Sequence, residues 1–114
     1  MSSPDIFFGA GDKAPQITHP LKNPDGSVMD LTGRTVHFRY RVKNQSEDEV
    51  IETATILGDP SEGNALWTPA VAVPAGEDGL PRNYNADWIV DRGLPTQETV
   101  PNDRYLWMRV KPAP

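Results

Sequence analysis

Apolar and polar residues alternate along two segments of this chain. In TVHFRYRV, residues 35–42, every second residue is apolar, and the same holds in NYNADWIV, residues 83–90. A period of two is typical of a β-strand that buries one face. The predicted buried faces are Val36, Phe38, Tyr40 and Val42 in the first segment and Tyr84, Ala86, Trp88 and Val90 in the second. Two such faces predict a core between two β-sheets.

Four further segments contain the β-branched and aromatic residues that favour strands. They are QITHPL (16–21), EVIETATIL (49–57), NALWTPAVAV (64–73) and RYLWMRV (104–110). Pro69 should kink the third of these or place it at a sheet edge. The 12 prolines interrupt nearly every window long enough for a helix, and turn residues, above all Asp25-Gly26 and the stretches 58–64 and 74–81, separate the segments. We therefore predict an all-β domain of about seven antiparallel strands in a β-sandwich.

The composition narrows the class of protein. With 114 residues the chain is expected to form one domain. The absence of cysteine excludes disulfides and thiolate chemistry, and a formal net charge of -5 argues against nucleic acid as a partner. No apolar run of about 18 residues is present, and the segment MSSPDIFFGAG lacks the basic residue and the apolar core of a signal peptide. We therefore expect neither membrane association nor export.

The polar face of the first alternating segment is a row of basic residues, namely His37, Arg39, Arg41 and Lys43. Such a row is compatible with anion binding, but a strand in a sandwich also has a side that faces solvent. In a chain with 16 acidic residues, we expect the row to pair across strands with an acid such as Glu49 or Glu52. The other interpretation is contact with an acidic partner subunit.

The pattern contains no catalytic constellation. His19 and His37 lie on separate predicted strands, where a surface or edge position is expected, and a shared metal ion would require those strands to be adjacent. No nucleophile stands beside a base, and no two carboxylates are held at a defined separation. We therefore predict no catalytic residue, no cofactor and no metal site.

Several large apolar residues fall outside the two predicted core faces. The last segment is apolar on both sides, with Tyr105 and Trp107 opposite Leu106, Met108 and Val110, which is typical either of an interface or of a strand covered by its own chain. Trp67 also lacks an assigned core face. Because an exposed ring can stack on a sugar, Trp67 and Trp107 are candidates for carbohydrate binding, although core and interface roles are favoured.

Ile6, Phe7 and Phe8 form an apolar cluster near the start of the sequence. They belong either to an arm, residues 1–10, that docks on another subunit, or to a first strand, and the sandwich itself is predicted at residues 11–112. The residues predicted for a subunit contact are Ile6, Phe7, Phe8, Arg39, Arg41, Trp67, Tyr105 and Trp107.

The order of the segments resembles a known family. Residues 11–42 and 83–110 are similar to the immunoglobulin-like β-sandwich domain of tailed-phage and prophage structural proteins, of the type at the N-terminus of the baseplate upper protein. In that family an Asp-Gly turn precedes a DLTG step into a long alternating strand. A later aromatic strand then leads through a glycine hairpin to T-x-P-N-D-x-Y-L. The matching residues are Asp25, Gly26, Asp30, Leu31, Thr32, Gly33, Val36, Phe38, Tyr84, Ala86, Trp88, Gly93, Thr99, Pro101, Asn102, Asp103, Tyr105, Leu106 and Val110. Asn83 departs from the family's usual glycine, and PAGEDGLPRN (74–83) is longer than the expected turn.

The resemblance implies an immunoglobulin-like fold and a non-enzymatic virion protein, assembled in the bacterial host cytoplasm. Such a protein would contact other virion proteins as a small adaptor or peripheral component of the tail or baseplate. A decoration protein on the phage head is one alternative, and a carbohydrate-binding or host-adhesion module is another. A homo-oligomer is compatible with each of these.

Overall fold

The alternating segments form strands in a computed structural model of the chain, which describes residues 4–10, 16–43, 49–70, 73–76, 80–101 and 104–112. Within these ranges there are nine strands: β1 (Ile6–Gly9), β2 (Ile17–Pro20), β3 (Val36–Val42), β4 (Val50–Thr53), β5 (Thr55–Ile56), β6 (Asn64–Trp67), β7 (Arg82–Val90), β8 (Glu98–Val100) and β9 (Leu106–Lys111). The helical element among them is one 3-10 turn, Pro60–Glu62. The all-β prediction is confirmed. In the described ranges no helix has the length and apolar character that a membrane span requires.

The larger sheet is built around β3 and β7, with the strand order β1-β9-β7-β3-β4. β3 and β7 run antiparallel over seven residue pairs, from Val36 opposite Val90 to Val42 opposite Tyr84. β9 and the short β8 both pair with β7. β1 pairs with β9 in parallel, so the prediction of antiparallel strands throughout is wrong at this edge.

The smaller sheet has the order β2-β6-β5 and is antiparallel. β4 and β5 come from one predicted strand segment, but the chain leaves the larger sheet after Thr53 and joins the smaller one at Thr55. Ala54 is the corner, and its N–H donates to the Val36 carbonyl at 2.9 Å. β6 ends at Trp67, before Pro69, and lies in the centre of its sheet. The edge position that Pro69 suggested for this segment is therefore wrong.

The core lies between the two sheets. The predicted inner residues of β3 and β7 are buried, apart from the half-buried Val42. Phe38 of the larger sheet stacks on Trp67 of the smaller one with ring centroids 4.2 Å apart, and the Trp88 ring meets Phe38 at 4.9 Å with its plane turned by 70°. These three rings join the sheets, which confirms the predicted two-layer sandwich.

Two predicted turns are stabilised by aspartate side chains, one between β2 and β3 and one between β5 and β6. The Asp25 carboxylate accepts from the Ser27 N–H at 2.9 Å, and Lys22 and Val28 form a bridge on either side. In the stretch 58–64, Asp59 accepts from the Ser61 N–H at 3.0 Å and so caps the 3-10 turn. Asn102 and Asp103 of the family-like stretch lie outside the described residues.

Candidate functional site

One face of the larger sheet packs on the smaller sheet, and the opposite face, here called the outer face, is turned away from it; most of its residues are partly or fully exposed, whereas Asp87 and Ile89 are buried. Because side chains alternate along a strand, the outer face carries the residues between the buried positions. These are Phe7 on β1, His37, Arg39 and Arg41 on β3, Ile51 and Thr53 on β4, Asn83, Asn85, Asp87 and Ile89 on β7, and Trp107, Arg109 and Lys111 on β9, with Tyr105 just before β9. Five of the residues predicted for a subunit contact therefore lie on one face, namely Phe7, Arg39, Arg41, Tyr105 and Trp107.

Arg39 and Asp87 form a buried ion pair at the centre of this face. They are directly opposite each other in the register of β3 and β7. Two guanidinium nitrogens donate to the two carboxylate oxygens, with Nε at 2.8 Å from Oδ1. The Asp87 side chain is only 4% exposed, against 26% for Arg39. The bonds to Asp87 raise the pKa of Arg39, with a smaller contribution from nearby Glu49.

The expected partner of the basic row is therefore corrected. The acid that pairs with Arg39 is Asp87, on the neighbouring strand β7, rather than Glu49 or Glu52. Glu52 instead accepts from the Trp67 indole N–H at 2.9 Å, because it lies opposite Phe38 and points inward. Asp87 lies within the apolar run Ala86 to Val90, and an acid at such a position predicts a buried charge with a cationic partner, because ionised groups are rarely buried without one.

Arg41 has a different environment. Its Nη2 donates to the Tyr105 hydroxyl at 2.9 Å, and its guanidinium carbon lies 5.2 Å from the centre of the Tyr105 ring. Tyr105 is 45% exposed. The pair combines a hydrogen bond with a cation–π contact at the surface, and it leaves the charge of Arg41 without a carboxylate partner among the described residues.

Trp107 is half-buried, and its position on the outer face is fixed by two hydrogen bonds. Its indole N–H donates to Asn83 Oδ1 at 2.8 Å, and its backbone N–H donates to Asp5 Oδ2 at 2.8 Å. Asp5 also pairs with Arg104 at 3.2 Å. Partial burial acts to raise the pKa of Asp5, but the bonds from Trp107 and Arg104 outweigh it and lower that pKa.

Three residues predicted for a subunit contact lie in the core instead. Trp67 is 0% exposed, so it is not a surface ring and the sugar-stacking hypothesis is wrong for it. Ile6 and Phe8 are also buried, because β1 turns them towards the core, while Phe7 between them is 58% exposed. Of the two alternatives for this cluster, the structure contains the strand.

The outer face is locally basic. Among the described residues, its strands carry the cations Arg39, Arg41, Arg109 and Lys111 and the carboxylate Asp87, and Glu49 lies near Arg39 just before β4. The whole chain, by contrast, has a formal charge of -5. Since Asp87 pairs with Arg39, the positive charge of the face is carried mainly by Arg41, Arg109 and Lys111.

A second candidate lies at one side of the sandwich, between β2 and β8, which are both at a sheet edge. A cavity of about 420 Å³ lies there. Its lining includes the apolar residues Leu21, Met29, Trp88, Val100 and Leu106 and the polar residues Lys22, Asn23, Glu98, Thr99 and Arg104. The volume suits a small ligand.

His19 is one of the residues that line this cavity. Its Nδ1 accepts from the Trp88 indole N–H at 3.1 Å, and the two rings meet at 5.7 Å with their planes 65° apart. Burial lowers the pKa of His19, and the nearby Asp5 carboxylate only partly offsets that effect. The histidine is therefore a neutral acceptor that links the two sheets.

His19 and His37 lie on different sheets. No three His, Cys, Asp or Glu side chains of the described ranges are grouped as a metal ion would need. His37 Nδ1 is buried without a hydrogen-bond partner. In comparisons with known proteins, no family model, no curated protein and no solved structure matches the chain.

Proposed function

We propose that the chain is a non-enzymatic structural protein of a tailed-phage particle, a small adaptor or peripheral component of the tail or baseplate that acts through protein–protein contacts. The observation that carries the proposal is the outer face. Arg39 and Trp107 are held in place by Asp87 and Asn83 on the central strand β7, so the middle of this surface is formed before any partner binds. Preformed surfaces rich in Trp, Tyr and Arg are typical of protein interfaces.

We propose further that the sandwich is immunoglobulin-like. The support is the strand order. In immunoglobulin folds of the variable type, one sheet contains strands G, F, C and C′ and the other contains B, E and D. β9, β7, β3 and β4 follow the first order, and β2, β6 and β5 follow the second. β1 and β8 are then additions at the edge of the larger sheet.

The test is the composition of particles produced by the strain that encodes the chain. Purified particles, and heads and tails separated from them, are analysed by mass spectrometry. The proposal expects peptides of this chain in the tail fraction, at a fixed ratio to a known tail protein. Recovery in the head fraction would make the chain a decoration protein instead, and absence from both fractions would contradict a virion role.

The carbohydrate-binding alternative now depends on Trp107 alone. The ring lies on the open face beside Asn83, which accepts its N–H, and beside Asn85, directly opposite it on β7. A ring flanked by amides is a reasonable platform for a sugar. Glycan-array binding that is lost on Trp107→Ala, with an unchanged unfolding midpoint of that variant, would favour this alternative. Phe7→Ala is the control for the surface and should retain the binding.

A further inference from the structure

Two arginines on the outer face have no carboxylate partner among the described residues. Among the contacts of the described residues, Arg41 bonds only to Tyr105, and no ion pair involves Arg109. Arg39, by contrast, is occupied by Asp87. The free positive charge of the face is therefore localised at Arg41, Arg109 and the exposed Lys111, rather than spread along the row on β3.

These cationic side chains lie next to the aromatic rings of Trp107 and Phe7 on the outer face. In the register of the sheet, Trp107 lies opposite Asn85, and Asn85 lies opposite Arg41. In the next row Phe7 lies opposite Arg109. Adjacent strands are about 4.8 Å apart, so Trp107 and Arg41 are about two strand spacings apart. The patch therefore combines apolar rings with cations over the width of four strands.

A second copy of the same face does not fit this patch. Facing outer faces would bring Arg41, Arg109 and Lys111 of one copy near those of the other, and like charges across an interface are unfavourable. A nucleic acid is also disfavoured, because a chain with a formal charge of -5 would repel a long polyanion everywhere outside the patch. A surface with a few carboxylates beside apolar side chains fits both parts of the patch.

We propose that the outer face docks on an acidic surface of another virion protein, with carboxylates at Arg41 and Arg109 and apolar contact at Trp107 and Phe7. This inference rests on the proposed virion function. It separates the arginines by role: Arg41 and Arg109 contact the partner, whereas Arg39 holds Asp87 within the domain.

The experiment compares particles assembled with tagged chains. The variants are the wild type, Arg41→Glu, Arg41→Glu/Arg109→Glu, and Arg92→Glu, a control with the same charge change as Arg41→Glu at an exposed position off the face. Folding of each purified chain is checked by its urea-unfolding midpoint. Bound chain is measured after washing in NaCl from about 0.1 M to about 1 M, over which the Debye length falls from about 10 to about 3 Å.

The proposal expects the Arg41/Arg109 variant to be incorporated about tenfold less than the wild type, with the control unaffected and the wild type released progressively by salt. Equal incorporation of a folded Arg41/Arg109 variant would overturn the acidic-partner inference while leaving the virion function intact. Release of the wild type by nuclease would overturn it in favour of nucleic acid. Absence of the wild-type chain from particles would overturn both proposals.

Discussion

The ion pair between Arg39 and Asp87 makes Arg39 the residue of the basic row that stabilises the domain itself. The Asp87 carboxylate is 4% exposed, and leaving such a group without its cation costs far more than the pair contributes. We expect Arg39→Met to reduce the free energy of unfolding by about 2–4 kcal/mol, near the low end for buried pairs because Arg39 itself is partly exposed. Urea denaturation monitored by tryptophan fluorescence measures this change.

The matched control for that variant is Arg41→Met, which removes a cation from the same strand but leaves no buried acid behind. Its expected cost is about 0–1 kcal/mol. The double variant Arg39→Met/Asp87→Leu should recover most of the loss, because an apolar pair of similar volume can replace a buried ion pair. An Arg39→Met protein as stable as Arg41→Met would contradict this account.

His19 should make the stability depend on pH. Burial lowers its pKa below the ordinary value of 6.5, so the unfolded chain takes up a proton at higher pH than the folded protein does. The stability contribution is therefore complete above about pH 6.5 and is lost as the pH falls towards the folded-state pKa. We expect the free energy of unfolding to increase between about pH 5.5 and pH 7.5.

The control for this effect is His19→Asn, which keeps an acceptor for the Trp88 indole N–H but does not titrate. Its free energy of unfolding should vary less over the same pH range than that of the wild type. The same dependence in both proteins would assign the effect to other groups, and a wild type that becomes more stable as the pH falls would contradict the sign.

At single positions, sequence patterns predicted which side of a strand a residue occupies better than which residue it contacts. The outer positions of Arg39 and Arg41 follow directly from alternation. The pairing of Arg39 with Asp87 depends on the register of β3 against β7, which no local pattern contains. Trp67 was ambiguous because Ala65, Leu66 and Trp67 are all apolar, so alternation does not distinguish the two faces of β6.

Gly63 lies directly before β6, and its backbone conformation sets the direction in which the chain enters that strand. It has φ of 73°, and a Cβ built there would lie 2.6 Å from the Met29 carbonyl oxygen and 3.1 Å from that of Leu21. We expect Gly63→Ala to destabilise the protein by about 2–4 kcal/mol, combining left-handed strain of about 1–2 kcal/mol with the clash against backbone. Thermal or urea unfolding of the purified variant measures the loss.

Gly58 is the matched control in the same loop, with φ of 58° and no atom within 4 Å of an added Cβ. Gly58→Ala should cost only the strain, about 1 kcal/mol. Equal costs at the two positions would mean that the contact with the Met29 and Leu21 carbonyls has no energetic weight.

Among the elements, the predictable strands were those with a clear period of two. β3 and β7 follow from that period, because one of their faces is buried along nearly its whole length. β8 was missed, since its three residues are too few to show alternation and it pairs only where β7 extends beyond β9. The sequence pattern also did not predict that residues 49–57 are divided between two sheets. The reason is that the residues before and after the corner at Ala54 have the same strand-favouring composition.

Across the whole molecule, the two sides of the sandwich differ. On one side the chain itself passes from β4 to β5 and connects the sheets. On the other side β8 and β2 leave the cavity between them, which His19 and Trp88 bridge. The outer face is formed by the central strands β3 and β7 and their neighbours, with β1 attached at one edge through β9.

The attachment of β1 gives the last prediction. Ile6 and Phe8 are 4% and 8% exposed, whereas Phe7 is 58% exposed. Truncating a buried apolar side chain costs about 2–5 kcal/mol, and an edge strand should lie in the lower half of that range. We therefore expect Ile6→Ala and Phe8→Ala each to lower the free energy of unfolding by about 2–3 kcal/mol, with Phe7→Ala within about 0.5 kcal/mol of the wild type. Urea unfolding of the three purified variants provides the comparison. If residues 6–8 acted as a docking arm instead, all three variants would be equally stable and the losses would occur only in assembly with a partner.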